Sequence, residues 1–440
     1  MELHLGIDDT DSLRFGCTTY IAAILVEKLL NMGAEFVDYP NLIRLNPNVP
    51  WKTRGNGAIC LRFRHSEDIS EEALEEAVSL VEGYADFECA NTNPGVVLHR
   101  GPVPKEFTMF SKRVIQSVVE LREAEGLIRR YGCKAVGFKN RRGLIGALAA
   151  IGETLEGDHT YELLAYRVKE NWGKPRMVDP KSVEEMDRAT APMTFDNVDP
   201  ETGRVLITPR GPDPVLYGIR GETPEIVYKA HLMVKVGEEI ERWVIFRTNQ
   251  GTDSHLRPVR DVSEVRPYNP VTLVGRVADH PKTMIGGHVM FKLEAGGLVQ
   301  CAAYEPTGSF RDIIRMLVPG DVVRVYGGVR PPGDGHPMTI NLEKIEVLEL
   351  AEAYRLENPR CPRCGCRMKS AGRSRGFACK RCGFHSLTLK KVKVPLKREL
   401  RKGLYIPPPR AHRHLTKPFR RYGMEKRGRP KSLFNPWHWP

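Results

Sequence analysis

Two Cys-x-x-Cys pairs, Cys361-Pro362-Arg363-Cys364 and Cys379-Lys380-Arg381-Cys382, stand near the end of the chain with fourteen residues between them. Thiolates at this spacing close on one tetrahedral ion as two knuckles, and a complete four-sulfur set makes Zn2+ a structural rather than a catalytic ion. Gly365 and Gly383, one residue after each pair, suit the tight knuckle turns. Cys366 is a spare thiol, and the paired spacing favours Cys364 over it. The other cysteines are scattered and read as reduced thiols rather than a disulfide framework. At 440 residues the chain has room for about three or four domains. It has no apolar run of about 18 residues and no signal pattern, so we expect a cytoplasmic protein with no membrane partner.

Charge is distributed unevenly. Residues 360–389 hold eight Lys and Arg and no acid, and residues 390–440 hold sixteen against Glu399 and Glu425. The whole chain is only +13, so the first 359 residues are net negative. A mildly acidic body with a basic end that begins inside the zinc module suggests a polyanion-gripping end on a catalytic or small-ligand body. A solubilising tail is the plainer alternative. The proline-rich segment beyond 390, ending in Trp437-His438-Trp439, is expected to order only against a partner.

At the other end, Leu3, Leu5 and Ile7 alternate with polar residues and predict a strand. It runs into Gly6-Ile7-Asp8-Asp9-Thr10-Asp11-Ser12 and then Cys17-Thr18-Thr19-Tyr20. Ile21, Ile24, Leu25 and Leu29 follow at helical spacing, with Thr18 placed as N-cap. Crowded carboxylates repel unless a cation holds them, and hard oxygen ligands suit Mg2+. A helix start offers free N–H groups to phosphate. The pattern therefore reads either as a metal–nucleotide site or as a solvated acidic turn with an ordinary cap.

Residues 1–100 read as α/β, with strands at 2–8, 41–46, 57–63 and 95–99 and helices at 19–31 and 71–83, the second capped by Ser70. Lys52-Thr53-Arg54-Gly55-Asn56-Gly57 is a basic glycine-rich loop: a phosphate cradle without Walker spacing, or a simple hairpin turn. Asn91–Gly95 is a second polar turn with the same two readings. Phe107, Phe110, Val114, Ile115, Val118, Val119 and Leu121 predict one long helix over 105–130. From 133 to 248 strands (133–138, 160–167, 204–207, 215–219, 242–248) alternate with helices (143–151, 180–188, 224–232), a pattern compatible with a ferredoxin-like unit. Thr248–His255 packs amides and hydroxyls that suit base or ribose contacts, though a solvent loop is the favoured reading. Residues 270–350 run β-β-β-α-β-β, the order of an OB-fold. Phe291 and Tyr304 there either stack bases or fill the core.

Together these residues carry a resemblance. The Gly6–Ser12 and Cys17–Tyr20 motifs, Arg44-Leu45-Asn46-Pro47, Lys52–Gly57 and the order of domains resemble the archaeal 2-agmatinylcytidine synthetases of the minor isoleucine tRNA, the TiaS family, over almost the whole chain. The resemblance implies a multidomain α+β protein. Its parts would be an ATP-binding, kinase-like catalytic domain (1–125), a ferredoxin-like domain on the agmatine side (126–268), an OB-fold (269–350), a zinc ribbon (358–387) and a basic tRNA-binding tail (388–440). It implies phosphorylation of O2 of the anticodon's first cytidine by ATP, then attack of the agmatine amine at C2, so that the tRNA reads AUA. In such a protein Asp8, Asp9 and Asp11 hold Mg2+ against ATP, and Thr18 matches a threonine the family phosphorylates. Arg54, Gly55, Asn56 and Gly57 are candidates for phosphate contacts. Agmatine falls near Gly218, Ile219 and the loop to Gly221, with Asp196, Asp199 and Asp213 as candidate acids for its guanidinium. Two rivals remain at this point: a non-catalytic single-strand binder, and an RNA-dependent ATPase that uses no agmatine.

Overall fold

Leu3, Leu5 and Ile7 are fully buried along β1 (Glu2–Asp8), a central strand of the larger sheet. The structure, a computed structural model, describes residues 1–333 and 335–440. After β1 come α1 (Thr18–Asn31), β2 (Glu35–Phe36), β3 (Asn41–Arg44), β4 (Gly57–Arg64), α2 (Ser70–Tyr84) and β5 (Gly95–Arg100). Next are α3 (Lys105–Gln116), α4 (Leu121–Arg130), β6 (Lys134–Gly137), α5 (Gly143–Gly152) and β7 (Thr160–Arg167). Then follow α6 (Pro180–Thr190), β8 (Thr194–Phe195), β9 (Val215–Gly221), α7 (Pro224–Met233) and β10 (Ile240–Thr248). These strands form a sheet of order β6-β5-β1-β4-β3-β10-β7-β9-β8. Its two halves meet at a short parallel pairing, Arg247 opposite Asn41 and Thr248 opposite Leu42.

Helices cover both faces. α1, α2, α6 and α7 bury their apolar sides in one cluster, and α3, α4 and α5 bury theirs in another. α5 is made entirely of Gly, Ala, Leu and Ile because it lies hard against the strands: a Cβ on Gly6 would stand 2.2 Å from the Ala147 carbonyl oxygen. The expected single helix over 105–130 is two. The chain breaks at Ser117–Glu120, where Glu120 and Glu123 form a reciprocal capping box that starts α4 afresh. The expected strand at 204–207 reduces to one bridge, Val198 with Val205. Thr18 and Ser70 are the first residues inside their helices rather than N-caps.

The next strands are β11 (Arg257–Pro258), β12 (Pro270–Val277), β13 (Lys282–Thr283), β14 (Val289–Glu294) and β15 (Leu298–Ala303). A short α8 (Phe310–Arg315) separates them from β16 (Val322–Arg330) and β17 (Thr339–Glu349). β12 pairs with both β16 and β14, and β15 pairs with β14 and β17, so five strands close a ring around their own core. Phe291 is part of that core. Among the described residues no helix is long and apolar enough to cross a membrane.

The tail does not wait for a partner. Residues 403–405 add a strand to β17, and His438–Trp439 add one to β10. Between them Arg421 is completely buried, 2.5 Å from Glu222 and 2.9 Å from Asp158, and donates to the Gly251 carbonyl at 2.6 Å. Arg410 grips Asp199, Arg420 meets Asp187, and Arg398 lies against the buried Asp321. The acidic body and basic tail thus neutralise one another over much of this segment, which is why it orders in place. Removing one partner of a buried pair leaves the other charge stranded. Arg421→Met should therefore lower the unfolding free energy by about 3–5 kcal/mol in a denaturant titration; an unchanged midpoint would mean the tail is only an accessory arm.

Candidate active site

The three aspartates lie where β1 ends. Asp8 and Asp9 are buried, and Asp9 sits in the left-handed region at φ 61°. Burial, then the neighbouring Asp9, push the Asp8 carboxyl well above its usual range. Burial raises Asp9 to about 6 even though Arg142 lies 2.7 Å away and favours its charge. Two carboxyls buried side by side resist ionising together. Space for them comes from α5: a Cβ on Gly146 would stand 1.9 Å from Asp8 Oδ2.

Asp11, rather than Thr18, caps α1. Its Oδ1 accepts the Thr18 backbone N–H at 2.8 Å and the Thr18 hydroxyl at 3.1 Å, so a carboxylate sits at the helix's positive end. The Thr18 hydroxyl also shares a 2.8 Å hydrogen bond with Thr10. The polar turn before β5 packs onto the same loop, with the Thr92 hydroxyl donating to the Asp11 carbonyl.

Two cavities meet at this point, and Asp11, Thr18 and Gly57 line both. The first is lined by Asp8, Asp9 and Arg142 together with apolar side chains that include Trp51, Val118 and Val119. Val118 and Val119 belong to the break between α3 and α4, so a single helix across 105–130 would conceal part of the site. The second cavity, about 240 Å3, lies beyond Thr18 at the junction of the sheet's halves, with Leu42, Leu164 and Val215 among its apolar lining.

The candidate residues divide between these spaces. Asn56 lines the first cavity, and Arg54, Gly55, Asp196, Asp213 and Gly218 line the second. Arg54 braces the acidic loop by donating to the Ser12 and Gly16 carbonyls, and it pairs with Asp213 at 2.9 Å. Asp213 also faces Arg176 at 3.2 Å. Asp199 gives both oxygens to Arg410 and is not part of the cavity lining. The Ile219 side chain is in the core. Asp196 is different. It meets only an imidazole, His412 Nδ1 at 3.1 Å, and no arginine or lysine pairs with it among the described residues. Burial opposes charge on His412, but the Asp196 carboxylate and its hydrogen bond outweigh that and raise its pKa.

Several residues of the second cavity carry no local sequence signal. Glu162 on β7 is buried, 3.0 Å from Arg220 and hydrogen-bonded by Gln250. His414 arrives from the tail and bonds Arg220 through Nδ1 at 2.8 Å. Burial, then Arg44 and Arg220, keep His414 neutral by driving its pKa far down. Asn249 is buried and bonds both backbone groups of Arg44, and Gln250 is buried and donates through Nε2 to Glu162 while its Oε1 has no partner among the described residues, so the loop after β10 is not a solvent loop. In the C-terminal module the four sulfurs of Cys361, Cys364, Cys379 and Cys382 lie within 4.8 Å of one another, a donor set that fits one Zn2+. Cys366 stands outside it, and Arg381 beside it lowers its pKa.

An acid-lined cavity joined to a second polar cavity, on an α+β body that carries a basic four-cysteine ribbon, defines a multidomain enzyme class. Family models for the TiaS TCKD domain, the TiaS FLD domain and the TiaS C-terminal zinc ribbon match residues 4–140, 141–255 and 358–400. The isoleucine-tRNA 2-agmatinylcytidine synthetase TiaS of Methanosarcina mazei is 46% identical over 423 residues, 94% of this chain and 96% of the relative. That of Methanocaldococcus jannaschii is 46% identical over 425 residues, 94% and 98% of the two chains. A crystal structure of TiaS in complex with its isoleucine tRNA and ATP aligns with TM-score 0.86 at 42% identity, covering 95% of this chain and 97% of that one. A complex of TiaS with the same tRNA, AMPCPP and agmatine aligns with TM-score 0.83 at 40% identity, covering 95% and 96%. The chain belongs to the TiaS family of isoleucine-tRNA 2-agmatinylcytidine synthetases.

The close approach at Gly146 can be tested directly. Gly146→Ala should cost about 1–3 kcal/mol of stability, because the new Cβ must displace the buried Asp8 carboxyl and Leu45, and should weaken ATP binding to the folded protein at least tenfold, about 1.4 kcal/mol, in calorimetry. Unchanged ATP affinity would mean that Asp8 does not serve the nucleotide.

Proposed function

We propose that this chain ligates agmatine to C2 of the anticodon wobble cytidine of the minor isoleucine tRNA in an ATP-dependent reaction. The observation that carries the reading is the meeting of two chemically distinct cavities at Thr18. In the first, Trp51, Val118 and Val119 suit an adenine ring, and Asp8, Asp9 and Asp11 would hold Mg2+ against the phosphates. The cation would neutralise charge on the nucleotide. Thr18 stands at the passage between the cavities, in reach of both, and is our candidate phosphoryl acceptor.

In the second cavity, agmatine's tetramethylene chain matches the apolar lining, and its guanidinium matches Asp196. Asp196 is preferred because Asp199, Asp213 and Glu162 already have guanidinium partners. An amide-like O2 is a poor leaving group and a phosphate ester a good one, so activation of the base precedes amination. The relatives bound to the isoleucine tRNA, ATP or its analogue, and agmatine support this assignment of substrates.

We read residues 1–125 as the kinase-like unit, 126–268 as ferredoxin-like, 269–350 as an OB-fold, 358–387 as the ribbon and 388–440 as the tail, acting in the cytoplasm. The exposed cations of the ribbon and its approaches would grip the tRNA backbone, while much of the tail beyond 398 is engaged with the body. A passive single-strand binder has no use for two joined cavities, and an ATPase without agmatine leaves Asp196 without a purpose.

The test is transfer of labelled agmatine to a transcript of the minor isoleucine tRNA. Label should enter the tRNA only with ATP present, and Asp196→Asn should raise the agmatine KM about tenfold or more, with tRNA affinity unchanged. Absence of label with the unaltered protein would overturn the reading; an unchanged KM would move the guanidinium elsewhere.

A further inference from the structure

Three of the four guanidiniums that line the two cavities have a carboxylate close by. Arg142 lies 2.7 Å from Asp9, Arg54 2.9 Å from Asp213 and Arg220 3.0 Å from Glu162. Arg44, the last residue of β3, does not conform. Its nearest carboxylate among the described residues is Glu162 at 3.8 Å, and the oxygen concerned is already bonded by Gln250. The buried Nε of Arg44 has no hydrogen-bond partner among the described residues. A largely buried guanidinium whose Nε is unpartnered is costly to hold.

Its surroundings hold it in place. A Cβ on Gly55 would stand 2.6 Å from Arg44 Nη1 and one on Gly57 would stand 3.0 Å away. The two glycines of the basic loop therefore make room for this side chain. Asn249 fixes the Arg44 backbone from both sides, its Oδ1 accepting the N–H at 2.8 Å and its Nδ2 donating to the carbonyl at 2.9 Å. Arg44 lines the second cavity together with Thr18 and also faces an outer cleft that carries Lys52, Arg210 and Arg413. The cavity thus offers an acid without a guanidinium, Asp196, and a guanidinium without a close acid, Arg44. That polarity suits a cationic amine substrate and an anionic leaving group.

We propose that Arg44 is a catalytic residue that holds the phosphoryl group on cytidine O2 and receives it as it departs, an inference that rests on the ligation reading above. In this step the agmatine amine nitrogen bonds to C2. The C2–O2 bond breaks, O2 leaves with the electron pair as part of inorganic phosphate, and the nitrogen's proton passes to that phosphate. Negative charge grows on the phosphate oxygens as the bond breaks, and a planar fork of N–H donors held in place stabilises it there. Arg54 is less suited, because its donors are spent on three carbonyls and Asp213.

The experiment follows agmatine transfer to the transcript by the full-length protein, as wild type, Arg44→Lys and Arg44→Ala, the last with and without millimolar guanidinium chloride. Arg44→Ala should lower kcat about 100-fold or more, Arg44→Lys should stay well below wild type, and guanidinium should restore part of the alanine variant's rate. Affinities for tRNA and ATP should hold within about twofold. A kcat for Arg44→Ala close to wild type would overturn the proposal. So would joint loss of tRNA and ATP binding with no rescue, which marks a structural role. An inactive wild type would instead refute the ligation reading.

Discussion

Asn249 holds the peptide unit of Arg44 as a neighbouring strand would, with one hydrogen bond to its N–H and one to its carbonyl. This contact extends the parallel pairing of β3 and β10, which covers only two residue pairs, and the Thr248 hydroxyl reinforces it by donating to the Leu42 carbonyl at 2.6 Å. The two halves of the large sheet meet along this seam, and the second cavity opens where the seam ends. Residues of the first half (Asp11, Thr18, Arg44) and the second (Glu162, Asp196, Arg220) line one cavity beside this seam, and the shared core and the Arg247–Asp38 pair hold the same junction. Buried polar groups in such a contact are costly to unpair, which gives the junction a single geometry.

The tail completes the same site from a distance. Residues 412–415 pass over the cavity, so His412 reaches Asp196 and His414 reaches Arg220. Arg421 then anchors the segment inside the body. The charge asymmetry along the chain therefore has two outcomes. Near the ribbon the cations stay in solvent, where they can meet phosphate. Beyond 398 many of them meet the acids of the body, and the neutral His414 is delivered to the cavity wall.

What is legible in the chain is local. The β1 alternation, the acidic loop after it, the two cysteine pairs and the five-strand pattern with its helix are written in contiguous residues, and each appears near its expected bounds. What stays hidden depends on pairing between distant segments. Glu162 reads as one polar residue in a strand until Arg220 and Gln250 arrive beside it. Arg142 reads as a helix-flanking cation until α5 settles on β1 and turns it to Asp9. Val118 and Val119 fit a helical period, and only the Glu120–Glu123 capping box signals that the chain restarts there. The glycines at 55 and 57 read as openings for phosphate; in the fold they clear space for Arg44. Asp11 takes the cap expected of Thr18 because a carboxylate at a helix start satisfies both the free N–H and the dipole.

The seam at Asn249 sets the geometry in which the cavity works. The most direct measurement is the rate of agmatine transfer to tRNA by Asn249→Ala, read beside ATP affinity and thermal stability. The expected result is a fall in kcat of at least about tenfold, with ATP affinity unchanged and a loss of stability of about 1–3 kcal/mol from the unpaired Arg44 peptide. A variant that transfers agmatine at the wild-type rate despite that loss of stability would contradict it.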